Sequence, residues 1–322
     1  MQWDRRCMVS SKMLLNRHNS WRSFLTASVN FQRPQTVCFI GFGEAAEALC
    51  EGFLRADCRA WDVKLDGVER DSMVERIGIK GIVVADSLED GVRDADWIVS
   101  LVTADQAGLV CQSAASLIKK RAVYLEMNSC SPGTKQRNAL TISEAGGVLI
   151  DVAIMSPVNP LRMDTPMLMS GAGGDQVIRL FSDFGYVVEI FGEAVGQASA
   201  VKMTRSIMIK GIEALSAECL LTAKKLGIEE TVIESLNNSF QGLDWSTRGG
   251  YNLERMCRHG IRRAAEMREV VNTIEEAGID SEMTRSTVQW QQRIGEMGLQ
   301  PSTDDLDEVV NLVLKKMTGF VE

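Results

Sequence analysis

Gly41-Phe42-Gly43-Glu44-Ala45-Ala46 follows directly on the apolar run Thr36–Ile40 and leads into Ala45–Arg55, whose Ala, Leu and Phe positions suit a helix. A glycine turn between strand and helix can hold a pyrophosphate. Gly41 permits the tight turn, Gly43 lets backbone approach the phosphates, Ala46 stands where helix and strand pack closely, and the helix start offers free N–H groups. Such turns are common in α/β proteins, so the signal gains weight from Asp62, which ends a second β-rich run about 20 residues further on. A carboxylate there accepts from the 2′-hydroxyl of an adenosine ribose and repels a 2′-phosphate. The expected cofactor is therefore NAD or NADP with NAD favoured, nearby Lys64 softening the preference. Glu44 would cost affinity if aimed at the phosphates, so it is expected to face solvent or pair with a base.

A second constellation lies in Gly196-Gln-Ala-Ser-Ala-Val-Lys202-Met-Thr-Arg205-Ser206, which opens a helical stretch running to Leu226 and closed by Gly227. Lys202, Arg205, Ser206 and Glu213 share one broad face of that helix. Lys202 is either a solvated lysine or a group that exchanges a proton with a hydroxyl while hydride moves to or from a nicotinamide. The second role needs a pKa lowered from about 10.4 toward neutrality, which burial and nearby Arg205 would promote. Arg205 also offers a fork to a carboxylate. Further on, His259, Arg262, Arg263 and Glu266 lie three and four residues apart. They read either as an exposed face with an Arg262–Glu266 ion pair, or as anion binders for a small substrate, with His259 and Arg263 the choices.

The elements that must position these residues alternate through the first half. Arg59–Val63, Gly81–Val84, Trp97–Thr103, Ala122–Met127 and Val148–Ile150 are apolar runs separated by helix-compatible stretches, the pattern of a covered, doubly wound parallel sheet of Rossmann type. Val102, Thr103, Asn128 and Ser129 then lie beyond the carboxyl ends of the strands, where such sheets bind ligands. Asn128-Ser129 also reads as a helix cap before Ser131-Pro132, and both readings can hold together. After Phe191 the chain turns helical to Lys316. The expected organisation is a basic extension over 1–35, an NAD(P)-binding domain over 36–195 and an all-helical domain over 196–322.

With 322 residues, 45% hydrophobic and 24% charged, two globular domains are expected. No apolar run approaches the ~20 residues of a membrane helix. A net charge of −8 argues against a nucleic-acid surface. Within it, residues 1–36 carry Arg5, Arg6, Lys12, Arg17, Arg22 and Arg33 against Asp4 alone. That segment resembles a mitochondrial targeting peptide, or equally a disordered extension or a start set too early; the location is cytoplasmic, or the mitochondrial matrix on the first reading. Eight cysteines occur as singletons without CxxC spacing, pointing to free thiols in a reducing compartment, and with two histidines no metal site is expected.

GFGEAA after TVCFI, ADWIVSLVT, EMNSCSP, DVAIMSPV and GQASAVKMTRS occur in the order seen in the β-hydroxyacid dehydrogenases, which this chain resembles over roughly residues 36–290. KMTRSIMIKGIEAL and RHGIRRAAEMREV are similar to the branch with a DUF1932-type C-terminal domain. The resemblance implies that Lys202 matches the catalytic lysine, that Val102, Thr103 and Asn128 fall in the cofactor cleft, and that the protein is a homodimer. The pattern departs at Met155-Ser156-Pro157, where the family has Ser-Gly-Gly, at Arg205 in place of Asn, and at Ala265-Glu266 in place of Lys-Asp. The expectation is an oxidoreductase acting on a small hydroxy or oxo acid. Lys202 would move the proton, with Ser156, Arg205, Ser206, His259 and Arg263 toward the substrate and Glu213 a further candidate; for a 3-hydroxy acid, decarboxylation can follow oxidation. An imine reductase is one alternative, against which retention of Lys202 weighs. A non-catalytic NAD(P)-binding sensor or scaffold is another, which loss of Ser-Gly-Gly favours.

Overall fold

Alternating apolar runs and amphipathic stretches fold as the period demands. The computed structural model describes residues 31–318, so nearly all of the basic extension expected over 1–35 lies outside the described residues. β1 (Thr36–Ile40) is followed by α1 (Glu44–Leu49), β2 (Asp57–Trp61), α2 (Arg70–Ile79), β3 (Val83–Val84), α3 (Leu88–Val92), β4 (Trp97–Ser100), α4 (Ala107–Ala115), β5 (Val123–Glu126), α5 (Pro132–Glu144) and β6 (Val148–Ile154). The sheet continues with β7 (Met167–Ser170), α6 (Gly174–Asp183) and β8 (Val188–Gly192). Its order is β3-β2-β1-β4-β5-β6-β7-β8. Every neighbouring pair is parallel except β6 with β7.

β4 and β5 are buried at every position, as strands covered on both faces must be. One aromatic cluster fills the space under the sheet: Phe53 lies 5.6 Å from Phe39, 5.8 Å from Phe181 and 5.3 Å from Tyr186, ring centre to ring centre. β4 is shorter than the run Trp97–Thr103 promised. Leu101 leaves the sheet to pass over the glycine turn, so close that a Cβ on Gly41 would sit 2.6 Å from Leu101 O. Gly41 also has φ +84, which a side chain would resist.

The helical part consists of α7 (Gln197–Leu226), α8 (Glu229–Ser239), α9 (Trp245–Glu276), α10 (Glu282–Glu296) and α11 (Leu306–Thr318). Gly196 and Gly227 flank α7 where the sequence places its ends. α7 and α9 run antiparallel. Asn252 Nδ2 donates to Ser216 Oγ at 3.0 Å, Arg263 pairs with Glu213, and Met203 joins Met267, Val270 and Ile274 in one apolar cluster. No helix of the described residues is long and apolar enough to cross a membrane. Among them no group of three or more His, Cys, Asp or Glu could hold a metal ion, and seven cysteines are free.

Candidate active site

The glycine turn is built from backbone outward. The Gly41 N–H donates to Trp61 O at 2.8 Å, and the Phe42 N–H donates to Asp62 Oδ2 at 2.8 Å. Phe42 sends its ring into the core, 6.0 Å from Phe39, while Ala46 is fully buried and Ala45 packs beside it. Gly43 caps α1 without any side-chain hydrogen bond, and nothing lies within 4 Å of where its Cβ would be. An open backbone beside uncapped N–H groups is the cradle a phosphate group needs. Glu44 is exposed, but its partner is an amide rather than a base: Asn159 Nδ2 donates to Glu44 Oε1 at 3.0 Å. Asp62 Oδ1 also accepts from the Lys64 N–H at 3.0 Å, while the Lys64 ammonium is bound to Glu69 at 2.7 Å.

At the ends of β4 and β5, Asn128 is buried and spends its amide on the scaffold. Its Oδ1 accepts from the Val102 N–H at 2.6 Å, and its Nδ2 donates to Ser100 Oγ at 2.9 Å and to Glu126 Oε1 at 2.5 Å. Thr103 is exposed beside it. The helix cap is Ser131, whose Oγ accepts from the Thr134 N–H at 3.2 Å, so Asn128 braces two strand ends and leaves capping to its neighbour. The start of α5 is also where α9 docks. Glu269 Oε2 accepts from the Ser131 N–H at 2.7 Å and from Thr134 Oγ1 at 3.0 Å, and Glu276 Oε2 accepts from the Gly133 N–H at 3.0 Å. Carboxylates are favoured at a helix N-terminus.

Beneath these loops lies a buried charge network that sequence reading did not anticipate. Lys135, Glu126 and Asp151 are each fully buried. Lys135 Nζ stands 3.2 Å from Asp151 Oδ1 and 3.7 Å from Glu126 Oε1, and donates to Glu126 O at 2.5 Å. Burial opposes the Lys135 charge, but the two carboxylates hold its pKa above the usual lysine value; burial raises that of Glu126. Asp151 also ties down the start of α7. Its Oδ2 accepts from the Gly196 and Ser199 N–H groups at 3.1 and 3.0 Å, and its Oδ1 from Ser199 Oγ at 2.7 Å. The available signal was a carboxylate at the end of, or inside, an otherwise apolar central strand, which needs a buried partner.

One turn into α7, half-buried Lys202 donates to Ser129 Oγ at 2.8 Å, bringing the helix residue and the β5 loop together. Burial of the amine lowers its pKa to about 8, with Lys210, Lys135 and Arg262 adding to the fall and Glu266 resisting it. Glu266 is the carboxylate of this cluster. It lies 2.8 Å from Arg262 and 3.9 Å from Lys210, and although burial pushes its pKa up, the surrounding cations hold it below the usual range. The Arg262–Glu266 pair expected on an exposed face therefore exists, with its acid turned inward.

The other sequence candidates divide. Arg205 is exposed, with Nη1 3.4 Å from Met155 O, and half-buried Ser156 bonds only to its neighbour Pro157 O. His259 is half-buried; burial, then Arg255, Arg262 and Arg263, lower its pKa to about 4, while Glu44 of the glycine turn opposes them. Arg263 does not join a substrate wall: it is buried and paired with Glu213, which also accepts from Gln291 Nε2 at 2.9 Å. Ser206 is likewise buried, 3.4 Å from Lys210 Nζ. Glu213 and Arg263 form a core ion pair of the helical region.

Residues 223–294 match the family described as "Domain of unknown function (DUF1932)". A conserved hypothetical protein of known structure from Sinorhizobium meliloti 1021 is 32% identical, with a TM-score of 0.67 over 88% of this chain and 96% of its own. A second solved structure, of a conserved protein of unknown function described as structurally similar to 3-hydroxyacid dehydrogenases, is 29% identical, with a TM-score of 0.62 over 81% and 97%. The mitochondrial 3-hydroxyisobutyrate dehydrogenase of Homo sapiens is 21% identical over 252 residues, 76% of this chain and 71% of its own.

Proposed function

Because the chain belongs to the β-hydroxyacid dehydrogenase family, we propose that it is an NAD(P)-dependent oxidoreductase acting on a small hydroxy or oxo acid. The observation that carries this reading is the Lys202 amine, held against Ser129 at the carboxyl ends of the central strands with its pKa brought near neutrality. The residues fit a dinucleotide: Gly43 leaves room for a phosphate, the start of α1 has no side-chain cap, and Asp62 borders the turn. Bound there, the nicotinamide would take or supply the hydride.

In the oxidising direction the neutral Lys202 amine takes the proton of the substrate hydroxyl as hydride leaves the same carbon; in reduction the ammonium returns it. Ser129, as acceptor of the Lys202 hydrogen bond, orients the amine toward that hydroxyl. Arg205, exposed at the same mouth, offers its fork to the carboxylate, with Ser156 beside it. Val102, Thr103 and the Asn128-braced strand ends form the floor.

Titration of the protein with NADH, followed by nicotinamide fluorescence, tests the cofactor assignment; no change with NADH or NADPH would remove it. Asp62→Ser is expected to shift the NADPH-to-NADH affinity ratio upward by roughly tenfold, because a charge facing the 2′-phosphate is lost. An unchanged ratio would detach Asp62 from the ribose. The partner we assign is a second copy of the chain, supported by Met208, Leu215, Leu226 and Ile228 exposed along α7 and just after it. Sedimentation velocity should give twice the chain mass, and a monomer at micromolar concentration would refute the pairing.

A further inference from the structure

α9 carries one stripe whose character changes along its length. Arg255, His259, Arg262, Glu266 and Glu269 recur at three- and four-residue spacing, with Glu276 seven residues further on, and therefore share a face. The far end of that stripe is docked on the nucleotide-binding half, through Glu269 and Glu276 at the start of α5. Glu266 comes next, at the Lys202 cluster. Arg262, His259 and Arg255 continue the same wall past Lys202, Arg255 lying about 21 Å from Glu269 along the axis.

Charge on this last stretch exceeds its counterions: Arg262 has Glu266, while Arg255 has no ion pair among the described residues. Glu266 is shared between Arg262 and Lys210. Arg255 is half-buried, and its Nε is shut off from solvent with no hydrogen-bond partner. The acid whose charge reaches His259 is Glu44, which is exposed and accepts from Asn159. A guanidinium nitrogen withdrawn from water without an acceptor is costly, so the arrangement calls for an anion. Two guanidinium groups on one face, two turns apart, suit an oxyanion with several acceptor oxygens shared between their forks. His259, neutral at physiological pH, adds a single N–H and no charge of its own.

We propose that Arg255, His259 and Arg262 form a second oxyanion subsite, beside the Lys202 cluster that Arg262 adjoins, for a phosphate or carboxylate group. The inference deepens the oxidoreductase reading and rests on it for the identity of the ligand, which is either a distal acid of the substrate or the pyrophosphate of the dinucleotide.

Calorimetric titration of the intact protein with inorganic phosphate and with ADP-ribose, for the native chain, Arg255→Gln and Arg262→Gln, tests it. The native protein is expected to bind phosphate, and each variant to bind it about tenfold or more weakly. Phosphate should also raise the melting temperature of the native protein and not that of Arg255→Gln, whose own fold should not suffer from losing an unpartnered charge. If ADP-ribose competes with phosphate and weakens in parallel in the variants, the subsite serves the cofactor. If phosphate binds beside saturating ADP-ribose and the variants leave ADP-ribose affinity unchanged, it serves the substrate. Native protein that binds neither ligand, or variants that fold and bind both as the native does, would overturn the subsite. Phosphate binding retained without any NADH binding would keep the subsite and remove the oxidoreductase reading.

Discussion

Lys202→Ala is expected to lower turnover by about 10²- to 10⁴-fold, the range for a positioned proton-transfer group, with NADH affinity almost unchanged. The amine belongs to α7 and the phosphate cradle to the turn before α1, so removing one leaves the other intact. With the Lys202 pKa near 8, the direction of reaction fixes the sign of the pH dependence. Oxidation needs the neutral amine, so its rate should rise as pH passes about 8 and level off above it. Reduction needs the ammonium, so its rate should fall over the same interval. Lys202→Arg keeps the charge but cannot release a proton, and should be as inactive as the alanine variant. Glu266→Gln removes the carboxylate that holds the Lys202 pKa up, so the midpoint should move below about 8. Rate profiles in both directions read all of this, and turnover of Lys202→Ala at the native rate would end its role.

The largest loss of stability is expected from Lys135→Met. It removes the cation lying between Glu126 and Asp151 while both carboxylates stay fully buried. Breaking a buried pair from one side costs about 3–5 kcal/mol, because the orphaned charge must either be protonated or remain uncompensated. Asp151→Asn added to Lys135→Met should recover part of the loss by neutralising one of the two acids. Urea unfolding of the three proteins measures this; a Lys135→Met variant within about 1 kcal/mol of the native would mean the network carries little net stability.

What could be read from sequence is what local chemistry decides. The glycine turn, Asp62 and the two glycines flanking α7 are specified by residues within a few positions of where they act. So is the alternation that builds the sheet, although Leu101 leaves β4 early to cover Gly41, a contact made 60 positions apart. β7 and β8 were missed; β8 alternates between half-buried and exposed positions and has no apolar run of its own. The site's acids were missed for another reason. Spacing of three and four residues marks a helix face but not which way it looks, so Arg262–Glu266 reads the same in solvent or in a cleft. Glu213 lies 50 residues from Arg263, and Ser131 lies 138 from Glu269. Nothing short of the folded chain brings such partners together.

The Asp151 anchor has a mechanical consequence. One carboxylate is shared by the buried lysine under the β5 loop and by the first turn of α7, so Ser129 and Lys202 ride on a single rigid joint. Any change of spacing between the β5 loop and α7 would have to break hydrogen bonds of a fully buried carboxylate, so the Ser129–Lys202 contact is held as one unit.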